Sequence, residues 1–253
     1  MWKRHRSTDK RYSGDNRLIS SKSSARALLK SNLKANKWLK SVESRYIHGT
    51  IPRVRKFIVE TLMAKKARMR ELSGRQLQLV VGSLLGDGYL MKTTNGYSFR
   101  VNHSLAQEPY VDWKYRILKE FVRTPPRRCG KCYYFRTISH PVFEKVRRHF
   151  FRGRTRRLSE RFVAKHLTPF ALAIWIMDDG AKDGNQLRLN SQGFDKKDNS
   201  ILQRILRAKL GILTTLNRDK NRFRIRVKYE SMARLNRLAR RFIIPSMLYK
   251  LSP

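Results

Sequence analysis

The chain has few acidic residues for its size. It contains 18 Asp and Glu against 58 Lys and Arg in 253 residues, which gives a formal net charge of +40 at pH 7. A charge this one-sided opposes a compact fold through self-repulsion unless a polyanion neutralises it. The scarcity of acids therefore excludes a typical small-molecule enzyme and indicates nucleic acid as the partner.

Cysteines and long apolar runs are also scarce. The lack of a long apolar run argues against a membrane partner. Cys129 and Cys132 provide no disulfide framework and no secretory signal is visible, so we expect an intracellular location, either an organelle (mitochondrion or chloroplast) or a bacterial or archaeal cytoplasm. The spacing C-G-K-C could supply half of a zinc site, but no further ligands complete a known spacing, which favours reduced cysteines at a turn.

Two apolar segments, each about three helical turns long, organise the rest of the chain. The first begins at Ser73, which is followed three residues later by Gln76 in a capping-box pattern. The second begins at Thr168, an N-cap residue followed by proline. Gly82 and Gly86 share one face of the first segment, where another backbone can approach closely. The pattern predicts two helices.

Each predicted helix ends in an acidic residue and a glycine. The pairs are Asp87 with Gly88 and Asp179 with Gly180, and we expect the two glycines to stop the helices. If the helices pack side by side, the two carboxylates emerge together at helix C-termini, where the helix dipole disfavours negative charge. Such a pair requires cations, most simply Mg²⁺.

Alternating polar and apolar residues follow each helix and predict strands with one polar face. The order helix, strands, helix, strands, helix occurs twice, which predicts an α+β domain repeated about a pseudo-twofold axis, with the two apolar helices at its interface. The polar faces would form a saddle whose ribbons fit the major groove of DNA, where Arg can bond guanine and Asn or Gln can bond adenine. The predicted DNA-binding residues are Arg100, Asn102, Arg188, Asn190, Gln192, Arg222, Arg224, Arg226 and Lys228.

The two segments L-V-V-G-S-L-L-G-D-G and L-A-I-W-I-M-D-D-G resemble the paired signature of LAGLIDADG homing endonucleases in their single-chain, two-motif form. The resemblance continues through L-R-L-N-S-Q-G-F, R-F-R-I-R-V-K-Y-E-S-M-A-R-L and R-R-F-I-I-P-S-M-L-Y-K-L, and so covers about residues 73–251. It implies two αββαββα domains, residues 73–157 and 158–253, after a basic extension formed by residues 1–72.

The resemblance implies a monomeric, site-specific DNA endonuclease. It would cut both strands of a long, asymmetric double-stranded DNA target and leave short 3′ overhangs. Asp87 and Asp179 would each bind a divalent cation, Mg²⁺ or another such as Mn²⁺. Gly86 and Asp178, which precede them, are further candidates for the metal site, although Asp178 is expected to cap or line the helix interface.

The family also places a basic residue near each scissile phosphate. The match falls on Lys250 in the second half and on Arg156 in the first. Arginine departs from the family's lysine, and because it cannot give up its proton at working pH, a general-acid or relay role there is in doubt.

The extension, residues 1–72, is strongly basic. Its opening has no apolar periodicity, which predicts disorder until a partner binds; a transit peptide is the alternative, although Asp9 and Asp15 count against it. Helices are predicted over residues 24–44 and from about 53 to 72, forming an auxiliary nucleic-acid-binding arm.

Three functions remain open from the sequence. Two retained aspartates and Lys250 favour the endonuclease, because a pure binder gains nothing from carboxylates turned toward phosphates. The extreme charge and the arm favour a non-cleaving protein that binds structured RNA, either an intron maturase or a component of an organellar ribonucleoprotein such as a ribosome. A transcription regulator on the same fold would be expected to carry an appended helix-turn-helix.

Overall fold

The computed structural model describes residues 69–153 and 155–251. These belong to the second of two compact units, residues 67–253; the first unit is residues 1–66. Most of the extension, with its predicted disorder and its first helix, lies outside the described residues. The second helix was predicted to reach residue 72, and this is wrong: residues 69–72 are turn and irregular chain. The helix cannot continue here because the backbone is extended at Ser73, which caps the next helix.

The first half consists of hairpins interleaved with helices, and its first four strands form one antiparallel sheet in the order β1-β2-β4-β3. Its elements are α1 (Gly74–Leu85), β1 (Tyr89–Thr93), β2 (Gly96–Ser104), α2 (Glu108–Leu118), β3 (Arg127–Cys129), β4 (Cys132–Arg136), α3 (Pro141–Arg147), β5 (Phe151–Arg152) and β6 (Thr155–Arg156). The last two strands pair with each other as a separate two-stranded ribbon. Single 3₁₀ turns at Leu105–Gln107 and Lys119–Phe121 flank α2.

The second half repeats this order, with a sheet arranged β7-β8-β10-β9. Its elements are α4 (Glu160–His166), α5 (Pro169–Asp179), β7 (Gly180–Asp183), β8 (Gln186–Leu189), α6 (Lys196–Ile205), β9 (Thr214–Asp219), β10 (Arg222–Val227) and α7 (Met232–Ala239). A π-helical turn, Leu206–Leu210, extends α6, and 3₁₀ turns occupy Tyr229–Ser231, Arg240–Phe242 and Pro245–Lys250. The shared strand order confirms the predicted α+β repeat.

The starts of α1 and α5 are capped as predicted. The Ser73 hydroxyl accepts a hydrogen bond from the backbone N–H of Gln76 at 3.2 Å, and the Gln76 side chain accepts one from the backbone N–H of Ser73 at 2.9 Å. At the start of α5, the Thr168 hydroxyl accepts from the N–H of Ala171. These caps satisfy N–H groups that have no partner within the helix.

The end of α1 differs from the prediction. The helix stops at Leu85 with Gly86 as its cap, and not at Gly88, because the N–H groups of both glycines donate to the Ser83 carbonyl as the chain turns. Position 88 has no room for a side chain, because a Cβ there would lie only 2.7 Å from the Cβ of Ser83. This lack of space, and not a helix stop, requires Gly88. The second helix ends at Asp179 with Gly180 as its cap, as predicted.

The helices α1 and α5 pack against each other where α1 lacks side chains. A Cβ at Gly82 would lie 2.4 Å from the carbonyl oxygen of Ala171, and a Cβ at Gly86 would lie 2.4 Å from the Cβ of Asp178. The predicted close approach at these two glycines is thus confirmed. It places the C-terminal ends of both helices side by side.

Each sheet packs its apolar face against helices of its own half, the first against α2 and α3 and the second against α5 and α6. Phe99 and Val101 of β2, Leu187 and Leu189 of β8, and Ile225 of β10 are all buried. The polar residues that alternate with them lie on the opposite, accessible face, as the sequence pattern predicts. In the part of the chain that the structure describes, no helix is both long and apolar enough to span a bilayer.

Candidate active site

Asp87 and Asp179 lie together at the C-terminal ends of α1 and α5. Asp179 is the last residue of α5, and Asp87 follows the glycine cap of α1. Their carboxyl groups are close enough for the charge of Asp87 to raise the pKa of Asp179. The packing of the two motif helices is what brings them together.

The surroundings of both carboxyls disfavour negative charge. Burial raises the pKa of Asp179 to about 7, and the charges of Asp87 and Asp178 act in the same direction. Burial and the charge of Asp178 also raise the pKa of Asp87, although 47% of its side chain is exposed. The pair therefore retains a proton near neutral pH unless a cation takes its place.

Lys250 and Arg156 flank the two aspartates from opposite halves. The ammonium of Lys250 donates to the carbonyl oxygen of Asp178 at 3.1 Å, at the end of α5. The guanidinium of Arg156 donates to the carbonyl oxygen of Leu84 at the end of α1 and lies 3.9 Å from the centroid of the Phe194 ring. Each basic group thus binds a C-terminal carbonyl of the motif helix in its own half.

The flanking cations leave the two carboxylates available to a metal ion. Among the described residues, neither Lys250 nor Arg156 forms an ion pair with Asp87 or Asp179. The same part of the chain has no group of three or more His, Cys, Asp or Glu placed to enclose a metal. Mg²⁺ suits such a site, since it commonly binds through one or two carboxylates, several waters and substrate phosphates. The residues present therefore fit the predicted divalent cation.

Asp178 is occupied by protein donors. Its Oδ1 accepts hydrogen bonds from the Lys114 ammonium at 2.6 Å and from the Tyr110 hydroxyl at 2.7 Å. Gly86, the other residue suggested for the metal site, packs against Asp178 and caps α1. The geometry favours the helix-interface role expected for Asp178 over metal binding.

The sequence pattern missed the group around Asp178. The site residues predicted from the sequence include neither His103 nor Tyr110 nor Lys114. Burial and the charge of Lys114 lower the pKa of His103 to about 4, so its ring is neutral at pH 7. One signal was available: Lys114 follows Tyr110 at helical spacing and so falls on the buried face of α2.

The polar face of the first sheet contains more arginines than predicted. Arg100 and Asn102 lie there, with Arg136 and Tyr134 opposite them on β4. Arg127 lies opposite Tyr134 on β3. The guanidinium of Arg100 lies 4.6 Å from the centroid of the Tyr134 ring. Within the described ranges, Arg100, Arg127 and Arg136 have no carboxylate in ion-pair contact. This face presents unneutralised positive charge.

The polar face of the second sheet is internally paired. Asp183 lies 3.2 Å from Arg226 and 3.6 Å from Arg188, and Asp219 lies 2.6 Å from Arg224. Three of the predicted DNA-binding arginines are therefore held by carboxylates on the same face.

The other residues of the second half that were predicted to bind DNA lie at different places around its sheet. Gln192 donates to Asp219 at 3.2 Å, and the backbone N–H of Asn190 donates to the carbonyl of Asp179. Arg222 is exposed at the start of β10, and Lys228 just beyond that strand lies 3.8 Å from Glu230. Asn190 thus joins the sheet directly to the site.

The cysteines lie at the end of a hairpin away from this site. Cys129 and Cys132 are free thiols, opposite each other on β3 and β4. Gly130, with a φ of 58°, occupies the two-residue turn between them. The predicted turn is confirmed.

Comparisons with known proteins agree with this architecture. The model of the LAGLIDADG DNA endonuclease family matches residues 77–235. The probable intron-encoded endonuclease 1 of Wickerhamomyces canadensis is 27% identical over 202 residues, covering 74% of this chain and 87% of that protein. The cytochrome b mRNA maturase bI2 of Saccharomyces cerevisiae is 29% identical over 223 residues, covering 78% of this chain and 52% of the maturase, so the chain spans about half of that relative.

A solved structure shows the same fold. The homing endonuclease I-WcaI bound to its DNA recognition sequence has a TM-score of 0.67 and 25% sequence identity, and the match covers 74% of this chain and 91% of that one. The family match takes in both motif helices and both sheets. Sequence, fold and site together show that this chain belongs to the LAGLIDADG DNA endonuclease family.

Proposed function

We propose that the protein is a site-specific DNA endonuclease of the intron-homing kind, which breaks both strands of its target. The observation that supports this best is the pair of adjacent carboxyls, Asp87 and Asp179, with basic groups close by but not bound to them. A protein that only binds nucleic acid would be weakened by two carboxylates facing the phosphates. The name of the Wickerhamomyces canadensis relative and the DNA in the I-WcaI structure support DNA as the substrate.

The chain's own residues have separable roles in this reaction. Divalent metal ions, when bound, would supply activated water and neutralise charge on the leaving oxygen. Asp87 and Asp179 would hold the ions on the two sides of the pseudo-twofold axis. Lys250 and Arg156 would stabilise the negative charge that develops on each phosphate, and because helix carbonyls already hold them, little reorganisation is needed.

The two sheets would form a saddle-shaped surface that binds the DNA, one sheet on each half of the target site. Their accessible faces contain arginine, asparagine and glutamine, which can bond base edges in the major groove. Because the two faces differ in both sequence and ion pairing, the recognised site should be asymmetric.

RNA binding without cleavage is the second candidate. The similarity to the Saccharomyces cerevisiae maturase and the net charge of +40 favour it. It makes no use of the paired aspartates. The two functions therefore predict opposite consequences for substitutions at Asp87 and Asp179.

Cleavage of a plasmid library that carries intronless insertion sites, in the presence of Mg²⁺, separates the two functions. Wild type should give linear DNA, and Asp87→Asn and Asp179→Asn should each abolish it. Glu144→Gln is the control, because it neutralises an exposed carboxylate on α3 that pairs with Arg148, outside the site. No cleavage of any site, together with tight binding of structured RNA, would contradict the nuclease and favour the maturase.

A further inference from the structure

A buried charged cluster lies directly behind the two aspartates. The side chains of Lys114 and Asp178 are both 0% exposed and form an ion pair of 2.6 Å. Tyr110 donates to the same carboxylate oxygen at 2.7 Å, and its ring centroid lies 4.4 Å from the Lys114 ammonium. His103, with 3% of its side chain exposed, completes the cluster: its Nε2 lies 3.4 Å from that ammonium.

Stability does not explain this cluster. Removing two charges from water is costly, and apolar side chains of similar volume often replace a buried ion pair without loss of stability. The remaining oxygen of Asp178, Oδ2, has no hydrogen-bond partner among the described residues, so the pair is not fully compensated. A function at the neighbouring site accounts for it better.

The cluster contacts Asp87 by two routes. The Nδ1 of His103 lies 3.8 Å from Oδ2 of Asp87, while its Nε2 lies 3.7 Å from Oδ1 of Asp178. The side chain of Asp178 also packs against Gly86, the residue that precedes Asp87. The carboxyl of Asp87 is therefore in contact with His103, and the backbone before it packs against Asp178. The ion pair restricts the motion of both neighbours.

Among the described residues, no ion pair equivalent to Lys114 with Asp178 lies behind Asp179. Gly86 at the end of α1 occupies the place that Asp178 occupies in α5, and Ser191 follows Asn190 as His103 follows Asn102. The Ser191 hydroxyl accepts from the backbone N–H of Ile225 and so belongs to the sheet. A buried histidine therefore contacts Asp87, whereas a serine bonded to the sheet takes its place in the second half.

We propose that Lys114, Asp178 and His103 are positioning residues for Asp87, and that they set the cleavage rate of one DNA strand and not of both. The inference rests on the proposed endonuclease function. Loss of the cluster leaves Asp87 with a choice of orientations, which slows the strand that depends on it. The backbone carbonyl of Asp179 is held separately, by the N–H of Asn190 at the second sheet.

A double substitution, Lys114→Met with Asp178→Asn, tests the inference because it removes both charges and nearly preserves shape. On an end-labelled target duplex, the strand whose cleavage is lost in Asp87→Asn should be cut at least about 10-fold more slowly, and the other strand should change less than about 2-fold. Nicked DNA should then accumulate. Arg204→Met with Glu160→Gln is the matched control, because it neutralises an exposed ion pair of 2.8 Å.

Two further measurements keep the outcome decisive. His103→Ala breaks the contact with Asp87 but leaves the ion pair in place, and should slow the same strand if the double variant does not fold. Calcium binding by the full chain with its target duplex should be about 10-fold weaker than in wild type, in whichever of the two variants folds.

Equal slowing of both strands, or unchanged calcium affinity, would overturn the positioning role. If wild type cuts neither strand, the proposed function fails; calcium binding by the full chain without DNA, compared between wild type and His103→Ala, then decides whether the cluster positions Asp87.

Discussion

Carboxylates in this protein respond in opposite ways to their surroundings. Asp179 at the helix crossing has its pKa raised, chiefly by burial, to about 7. Asp219 on the sheet face has its pKa lowered, first by the hydrogen bond from Gln192 and then by Arg224. A bound cation would therefore favour the charged form of Asp179, whereas Asp219 is already paired with the Arg224 guanidinium.

This contrast predicts a pH dependence for the metal-free protein. Because the folded pKa of Asp179 exceeds its usual 3.8, its protonated form stabilises the fold, and that contribution is lost as pH rises through about 7. Asp179→Asn should leave the free energy of unfolding nearly unchanged near pH 4 and raise it at pH 8, by about 1–2 kcal/mol after allowing for partial exposure.

Thermal unfolding in EDTA at the two pH values measures the difference. Asp219→Asn is the control with the opposite sign: because the folded pKa is lowered, its stabilising effect is present at pH 8 and is lost on acidification. A difference between wild type and Asp179→Asn that does not vary with pH would contradict the raised pKa.

Lys250 offers a second test at the level of single residues. Its ammonium is held by the Asp178 carbonyl at 3.1 Å, so Lys250→Met removes a positioned charge and should lower the single-turnover cleavage rate by about 10²-fold with little change in target affinity. Lys209→Met, at an exposed lysine, is the control. Loss of affinity without loss of rate would assign Lys250 to DNA binding instead.

At the level of helices and strands, the contact between α1 and α5 fixes the position of the candidate active site. Gly82 and Gly86 allow the contact, and the contact places both aspartates at one point. The sequence pattern predicts this from glycine spacing. It does not predict that α1 ends before Gly88, because that depends on the space Gly88 shares with Ser83.

Gly82→Ala should therefore disrupt the helix pair. Its Cβ would lie 2.4 Å from a backbone oxygen of α5, which cannot move aside as a flexible side chain can. We expect a loss of about 3 kcal/mol in the free energy of unfolding, measured by urea denaturation.

Gly74→Ala is the matched control, because nothing lies within 4 Å of its added Cβ and alanine is the better helix former. Its free energy of unfolding should be equal to or above that of wild type. Equal stability of the two alanine variants would show that the helices do not cross as closely as described.

For the whole molecule, the two sheet faces differ in free charge. In the region the structure describes, Arg136 has no carboxylate partner, whereas Arg226 is paired with Asp183 at 3.2 Å. Neutralising phosphates releases counterions in proportion to the free positive charges that make contact. The first half should therefore provide more of the salt-dependent affinity than the second.

Arg136→Ala should reduce the slope of log affinity against log salt by about 1, and Arg226→Ala should reduce it by less. Binding to the target duplex at several KCl concentrations measures both slopes. Equal reductions would show that the ion pair with Asp183 opens when DNA binds.

Sequence patterns were enough to predict the repeated α+β plan, the two motif helices with their N-caps, and the polar and apolar faces of the strands, because these depend on local spacing. Three features became visible only in the folded chain: Asp178 faces Lys114 and Tyr110, Lys250 and Arg156 bind helix carbonyls, and arginines of the second sheet are paired with Asp183 and Asp219. Those contacts join residues far apart in the chain, and their partners are selected by burial and packing that no short pattern records.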